Sequence, residues 1–159
     1  HPSQPLRLSA DRYEMLPLSS EPLAPYAKAG PDGRPLFTLP GGPGQRVPFL
    51  SYAPGAYMAG LVEAIRKQAG EPLALEPIYE TDMAEGLKAM ALEGHGLAFL
   101  PHSSVRKELK ARRLVAASAD PALALTMEVR IYRERPEVAR HPKAAVQALW
   151  DYLGSQGQP

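Results

Sequence analysis

From residue 49 onward, short apolar runs alternate with stretches whose apolar positions recur every three or four residues, the pattern of buried strands alternating with amphipathic helices. Phe49 to Tyr52 predicts a strand, and Ala56 to Gln68 predicts a helix with Met58, Leu61, Val62 and Ile65 on one face, stopped by Gly70. Leu73 to Tyr79 predicts the next strand, interrupted by Pro77 and therefore bulged or near a sheet edge. The following helix carries Met83, Leu87, Met90 and Ala91 inward behind a cap at Thr81 or Asp82, with Glu85 completing a capping box if Asp82 is the cap. Residues 92 to 101 carry the sharpest punctuation: Gly94 can close a helix in the left-handed conformation, Gly96 permits a close turn, Leu97 to Leu100 form a buried strand, and Pro101 starts the next helix. That helix runs through Val105 and Leu109 to a basic end at Lys107, Lys110, Arg112 and Arg113, the charge a helix C-terminus favours. Leu114 to Ala117 and Leu125 to Tyr132 predict two more strands, and a last helix from near Pro142 buries Val146, Leu149, Trp150 and Leu153 before Gly154 ends it.

The first third is less regular. Leu6, Leu8, Tyr13, Met15, Leu16 and Leu18 predict two short strands around a turn at residues 9 to 12, and the Pro/Gly-rich stretch from 19 to 48 predicts a surface connection. The whole pattern gives an α/β fold with a mostly parallel sheet, flanking helices and right-handed crossovers.

At 159 residues the chain can bury a core without metal or disulfide, as one modest domain or two small lobes. Cysteine is absent, which removes thiol nucleophiles, thiol switches and zinc-cysteine sites from consideration. Eighteen Lys plus Arg against seventeen Asp plus Glu give a net charge of +1, no electrostatic footprint for nucleic acid. No apolar run is long enough to span a bilayer, and the chain opens at His1 without an initiator Met or a signal-like segment, so the expectation is a soluble piece of a longer protein with no membrane contact.

In open α/β sheets, ligands sit beyond the carboxyl ends of the strands, where helix N-termini present free N–H groups and partial positive charge. Three such ends can be located: Ser51, Tyr52 and Tyr57 after the first strand, Thr81 and Asp82 after the second, and His102 and Ser103 after the third. They favour a small anion or polar oxidant, although each residue taken alone also suits ordinary capping and turn chemistry. Catalysis is not expected: His102 and Ser103 are adjacent and rarely point at each other, and no carboxylate is evident to orient the histidine. His95 and His102 lie at opposite ends of one strand, so no shared metal and no cofactor are expected. The basic run from Arg106 to Arg113 is interrupted by Glu108 and reads as a solvated helix face.

Glu93-Gly-His-Gly-Leu-Ala-Phe-Leu-Pro101, followed by a helix and then Arg113-Leu-Val115, resembles the signature of the effector-binding region of LysR-type transcriptional regulators. Glu21-Pro-Leu-Ala24 is similar to the segment that follows that family's crossover strand, while Arg112 stands where the family often has Gly and the Pro/Gly insertion at 28 to 47 departs from it. The resemblance implies a periplasmic-binding-protein-like (type 2) fold with the effector in a cleft between two lobes joined by two crossover strands. It divides the chain into residues 1–18 (partial first lobe and crossover), 19–125 (complete second lobe) and 126–159 (return crossover and the first lobe's C-terminal helix). It also implies a cytoplasmic homo-oligomer that touches DNA only through a winged-helix domain outside this segment. An incomplete first lobe would leave open sheet edges that invite pairing with another copy.

Phe49-Leu-Ser-Tyr-Ala-Pro-Gly-Ala-Tyr-Met58 and Thr81-Asp82-Met83 further resemble the hypochlorite-responsive branch of these regulators, which place methionines at those helix starts and switch by methionine oxidation. That resemblance makes Met58 and Met83 the sensing candidates, though both also fit the apolar stripe as core filler. The alternative is a free solute-binding protein capturing a small anion, and the encoded sequence before His1 separates the two.

Overall fold

The computed structural model describes residues 8–41, 44–139 and 143–156. Pro22–Thr126 pack as one compact unit, and the described residues of 5–21 and 127–159 form a second.

In the first unit the predicted alternation is present: β2 (Val47–Tyr52), α1 (Tyr57–Gln68), β3 (Leu75–Thr81), α2 (Ala84–Glu93), β4 (Ala98–Pro101), α3 (His102–Lys110) and β5 (Leu114–Ala116). β2 and β3 pair in parallel, and a parallel bridge from Phe49 to Leu97 ties β2 to the chain entering β4. The register slips between Phe49, opposite Pro77, and Leu50, opposite Tyr79, which makes Ile78 the extra residue of a bulge beside the expected proline. Gly94, at φ 84°, closes α2 as its left-handed cap. The core between sheet and helices is apolar, with Leu23, Leu50, Leu61, Ile65, Leu87, Leu97, Phe99 and Leu100 fully buried. Phe49 and Phe99 meet edge to face at 6.2 Å, a geometry adding about 0.5–1.5 kcal/mol beyond area burial.

Several expectations need correction. The largest concerns residues 13 to 28, which form one sixteen-residue strand, β1 (Tyr13–Lys28), instead of a short strand and a surface connection. β1 is central: it pairs antiparallel with β4 through Leu23–Tyr26 and with β5 through Tyr26–Lys28. The sheet is therefore largely antiparallel and not mostly parallel, because the long strand enters against the direction of the βα units. Pro25 is tolerated where β5 ends: its carbonyl still accepts from the Ala117 N–H at 2.9 Å, and the missing donor costs only one terminal rung. The turn at residues 9–12 forms as expected, with Ser9 O accepting from Arg12 and Tyr13, and the strand expected after it is the first part of β1; Leu6, of the strand expected before it, lies outside the described residues.

Other differences are local. Pro101 ends β4 and precedes α3, which starts at His102. The basic run is solvated as expected, with Arg106, Lys107, Lys110, Arg112 and Arg113 exposed, but Glu108 within it is 8% exposed and accepts from Arg113 Nη2 at 3.1 Å. Arg112 holds φ 52°, the left-handed conformation in which the related signature places Gly.

The second unit contains the first part of β1, most of β6 (Leu125–Glu134), which pairs with β1, and α4 (Ala144–Gln156). Arg133 of β6 pairs with Glu14 of β1 and lies 4.4 Å from the Trp150 ring centre of α4. The expected burial of α4 does not occur: Val146, Leu149 and Tyr152 are exposed, Trp150 and Leu153 are half-buried, and the helix runs through Gly154 to Gln156. Among the described residues of this unit, the β1–β6 pair and the turn after it, whose Pro136 and Ala139 line a hollow with Val146 and Gln147, cover it only in part. Pro142, the expected helix start, lies outside the described residues.

Candidate functional site

The parallel register sets Tyr52 beside Thr81, so the segments following β2 and β3 emerge side by side, and β4 leads into α3 at the same end through the Phe49–Leu97 bridge. After Tyr52 the chain turns at Ala53-Pro54-Gly55-Ala56, where the Ala56 N–H donates to Ala53 O at 3.1 Å and Gly55 holds φ 87°. Proline then glycine at the two central positions is the type II pattern, and it delivers the chain directly into α1.

The three helices that start at this end share an electrostatic property: α1, α2 and α3 all begin without a side-chain cap, their cap positions being Ala56, Met83 and Pro101. The expected capping of α2 by Thr81 or Asp82 is therefore not formed. Thr81 Oγ1 instead accepts from the Met83 N–H at 3.3 Å, which pushes the helix start one residue on, and Glu85 pairs with Lys88 at 2.6 Å instead of closing a capping box. Uncapped starts leave first-turn N–H groups to water or to a ligand, and their partial charge favours an anion or the oxygen of a polar molecule.

Each predicted residue can be placed on this frame. Ser51 donates to Tyr79 O at 3.2 Å, so its hydroxyl also fastens β2 to β3. Tyr52 is buried, and burial pushes its phenol well above the ordinary tyrosine range; its hydroxyl has no hydrogen-bond partner among the described residues. Tyr57 opens α1 and is exposed, while Met58 follows it, half-buried, at the head of the stripe that buries Leu61, Val62 and Ile65. Asp82 is exposed, and Met83, expected inward, is 62% exposed because the shifted start turns the cap residue out of the α2 stripe. His102 and Ser103 occupy the first turn of α3, half-buried and exposed. Among the described residues, no cluster of three or more His, Asp or Glu side chains could hold a metal.

Sequence reasoning missed two contributors. Tyr79 supplies the carbonyl that receives Ser51, and its hydroxyl would lie 3.9 Å from a Cβ added at Gly86; the bulge beside Pro77, which resets the facing of Tyr79, was the signal available. Lys88 joins α2 to α3 by donating to Ser104 O at 3.1 Å.

Tyr52 gives a direct test of the floor of this site. Leaving a buried hydroxyl unpaired costs about 1 kcal/mol or more, so Tyr52→Phe is expected to raise stability by roughly 1 kcal/mol in urea unfolding. A loss of similar size would mean that the hydroxyl is held by a partner in solution.

The family model described as LysR substrate binding domain matches residues 4–158. The chain belongs to the LysR substrate-binding domain family. Its fold is accordingly the periplasmic-binding-protein-like α/β fold, here with a largely antiparallel sheet around β1.

This LysR substrate-binding domain is 26% identical over 132 residues to the HTH-type transcriptional regulator YjiE of Escherichia coli K12, covering 83% of this chain and 41% of that protein. It is equally similar, at 26% over 132 residues, to the HTH domain-truncated transcriptional regulator QseD of E. coli O157:H7, covering 83% of this chain and 52% of that one. Among solved structures it superposes on full-length HypT of Salmonella typhimurium, a hypochlorite-specific LysR-type transcriptional regulator, with TM-score 0.76 and 27% identity over 91% of this chain and 46% of that one. The chain thus spans about half or less of each of these relatives. Relatives of this kind regulate transcription, and the domain family binds effectors. Among the described residues no helix is long and apolar enough to cross a membrane.

Proposed function

We propose that this chain is the effector-sensing region of a cytoplasmic LysR-type DNA-binding regulator, and that it reads hypochlorite through oxidation of Met58. The carrying observation is the position of Met58: half-buried, in the first turn of a helix whose start has no side-chain cap and no acidic residue. Oxidation converts its apolar thioether into a polar sulfoxide. Helical side chains lean toward the helix N-terminus, so the new oxygen forms near uncapped first-turn N–H groups that can donate to it, while the apolar stripe beneath loses a packing partner. Both effects act on α1 alone, which makes α1 the element that changes.

The likeness to a hypochlorite-specific regulator supports the choice of oxidant. In this reading Ser51, Tyr52, Tyr57, Thr81, Asp82, Met83, His102 and Ser103 surround the arriving oxidant at the three helix starts. DNA is bound by a winged-helix domain elsewhere in the regulator, and the regulator works as a homo-oligomer whose second lobe corresponds to residues 19–125. The same uncapped starts favour a second reading, a solute-binding domain for a small anion, in which no methionine is modified.

Hypochlorite treatment followed by peptide mass spectrometry and amide hydrogen exchange across residues 56–68 separates them. Wild type is expected to carry sulfoxide at Met58 and to change its exchange over α1, and Met58→Ile is expected to keep its exchange unaltered. An unmodified Met58, or the same exchange response in Met58→Ile, overturns the oxidant reading.

A further inference from the structure

We infer that Met83 sets the oxidant dose at which Met58 responds; the inference rests on the reading of Met58 as the sensor. The two sulfurs follow neighbouring parallel strands but differ in access: Met83 is 62% exposed, whereas Met58 is half-buried in the α1 stripe. They differ as much in consequence. The backbone of Met83 is fixed on both sides, its N–H donating to Thr81 Oγ1 at 3.3 Å and its carbonyl accepting from Gly86 and Leu87 at 3.1 and 3.3 Å. Those bonds and the fully buried Leu87 hold the start of α2 without help from the Met83 side chain.

The chemistry is the same at both sites. Hypochlorous acid transfers its oxygen to the thioether: a sulfur–oxygen bond forms, the oxygen–chlorine bond breaks, sulfur is oxidised by two electrons, chlorine leaves as chloride, and the proton passes to water. At Met83 this exchanges one exposed group for another and removes nothing from the core. At Met58 it places a polar oxygen at the head of the half-buried stripe that continues in Leu61, Val62 and Ile65. Susceptibility follows exposure, so scarce oxidant is consumed at Met83 first and silently, and only the excess reaches Met58. The second exposed thioether, Met15 at 41%, competes in the same way, whereas Met127 at 6% is shielded.

The test is a stepwise hypochlorite titration of the chain, quenched and mapped by peptide mass spectrometry, on wild type, Met83→Leu and Met83→Ala. Met83 sulfoxide is expected at lower dose than Met58 sulfoxide, and both variants are expected to lower the dose for half-oxidation of Met58 by about one molar equivalent, one oxygen being spent per sulfur. Oxidation of Met58 before Met83, or a Met58 midpoint that neither variant moves, overturns the dose-setting role while leaving the sensor reading intact. Absence of Met58 sulfoxide in all three proteins overturns both.

Discussion

Gly96→Ala is expected to destabilise the protein by about 3 kcal/mol, the upper end for forcing one carbon into a packed core. A Cβ at this position would stand 2.7 Å from Pro48 O, 3.1 Å from Pro48 C and 3.2 Å from Leu50 Cγ. Two of those atoms are backbone and cannot swing aside. Pro48 O is also committed, since it accepts from the Leu97 N–H at 2.9 Å, and Leu97 O in turn accepts from Leu50 N–H at 2.9 Å. Relief of the clash therefore requires β2 to part from the chain entering β4, which is the connection that aligns the helix starts of α1 and α3. Gly70→Ala serves as the control: its added carbon meets nothing within 4 Å, and no left-handed conformation is required there. It is expected to stay within about 1 kcal/mol of wild type or to gain slightly from a stiffer unfolded chain. Urea unfolding of the two variants measures the difference, and equal midpoints would remove the close approach from the account.

The elements legible in the sequence were those governed by local rules. Helix periodicity placed α1, α2 and α3, and the Gly94 to Pro101 stretch gave its left-handed cap and its strand because each depends on neighbours within a few residues, whereas Gly96, read as a close turn, is needed for the close approach of Pro48, a distant residue. β1 was illegible because its strand character comes from β4 and β5, seventy or more residues away, which pair around Pro22 and Pro25 in a segment whose composition argues for a loop. The site divided in the same way. Its location beyond the strand ends followed from topology, but the exposure of Met83 did not, because Thr81 bonds the backbone at Met83 instead of capping the helix. The exposure of α4 was equally out of reach of periodicity, which identifies an apolar face without saying whether anything covers it.

Met58→Gln is expected to mimic part of the oxidised state without oxidant, because its amide places a polar oxygen near the position a sulfoxide would take. A poorly satisfied polar group at a half-buried site costs about 1–3 kcal/mol. Moving an equilibrium from 1:99 to 99:1 needs about 5.5 kcal/mol, so one substituted subunit cannot drive a switch of that depth. Taking about 2 kcal/mol, the equilibrium shifts about thirtyfold, from 1:99 to roughly 1:3. Two coupled subunits contribute about 4 kcal/mol, nearly a thousandfold, and bring the population to roughly nine tenths. Hydrogen exchange over residues 56–68 of Met58→Gln should therefore depend on protein concentration, weakly altered when dilution separates the subunits and strongly altered when they associate. Exchange that is fully altered at every concentration would mean that one α1 carries the whole free-energy change and that the oligomer adds nothing to the response.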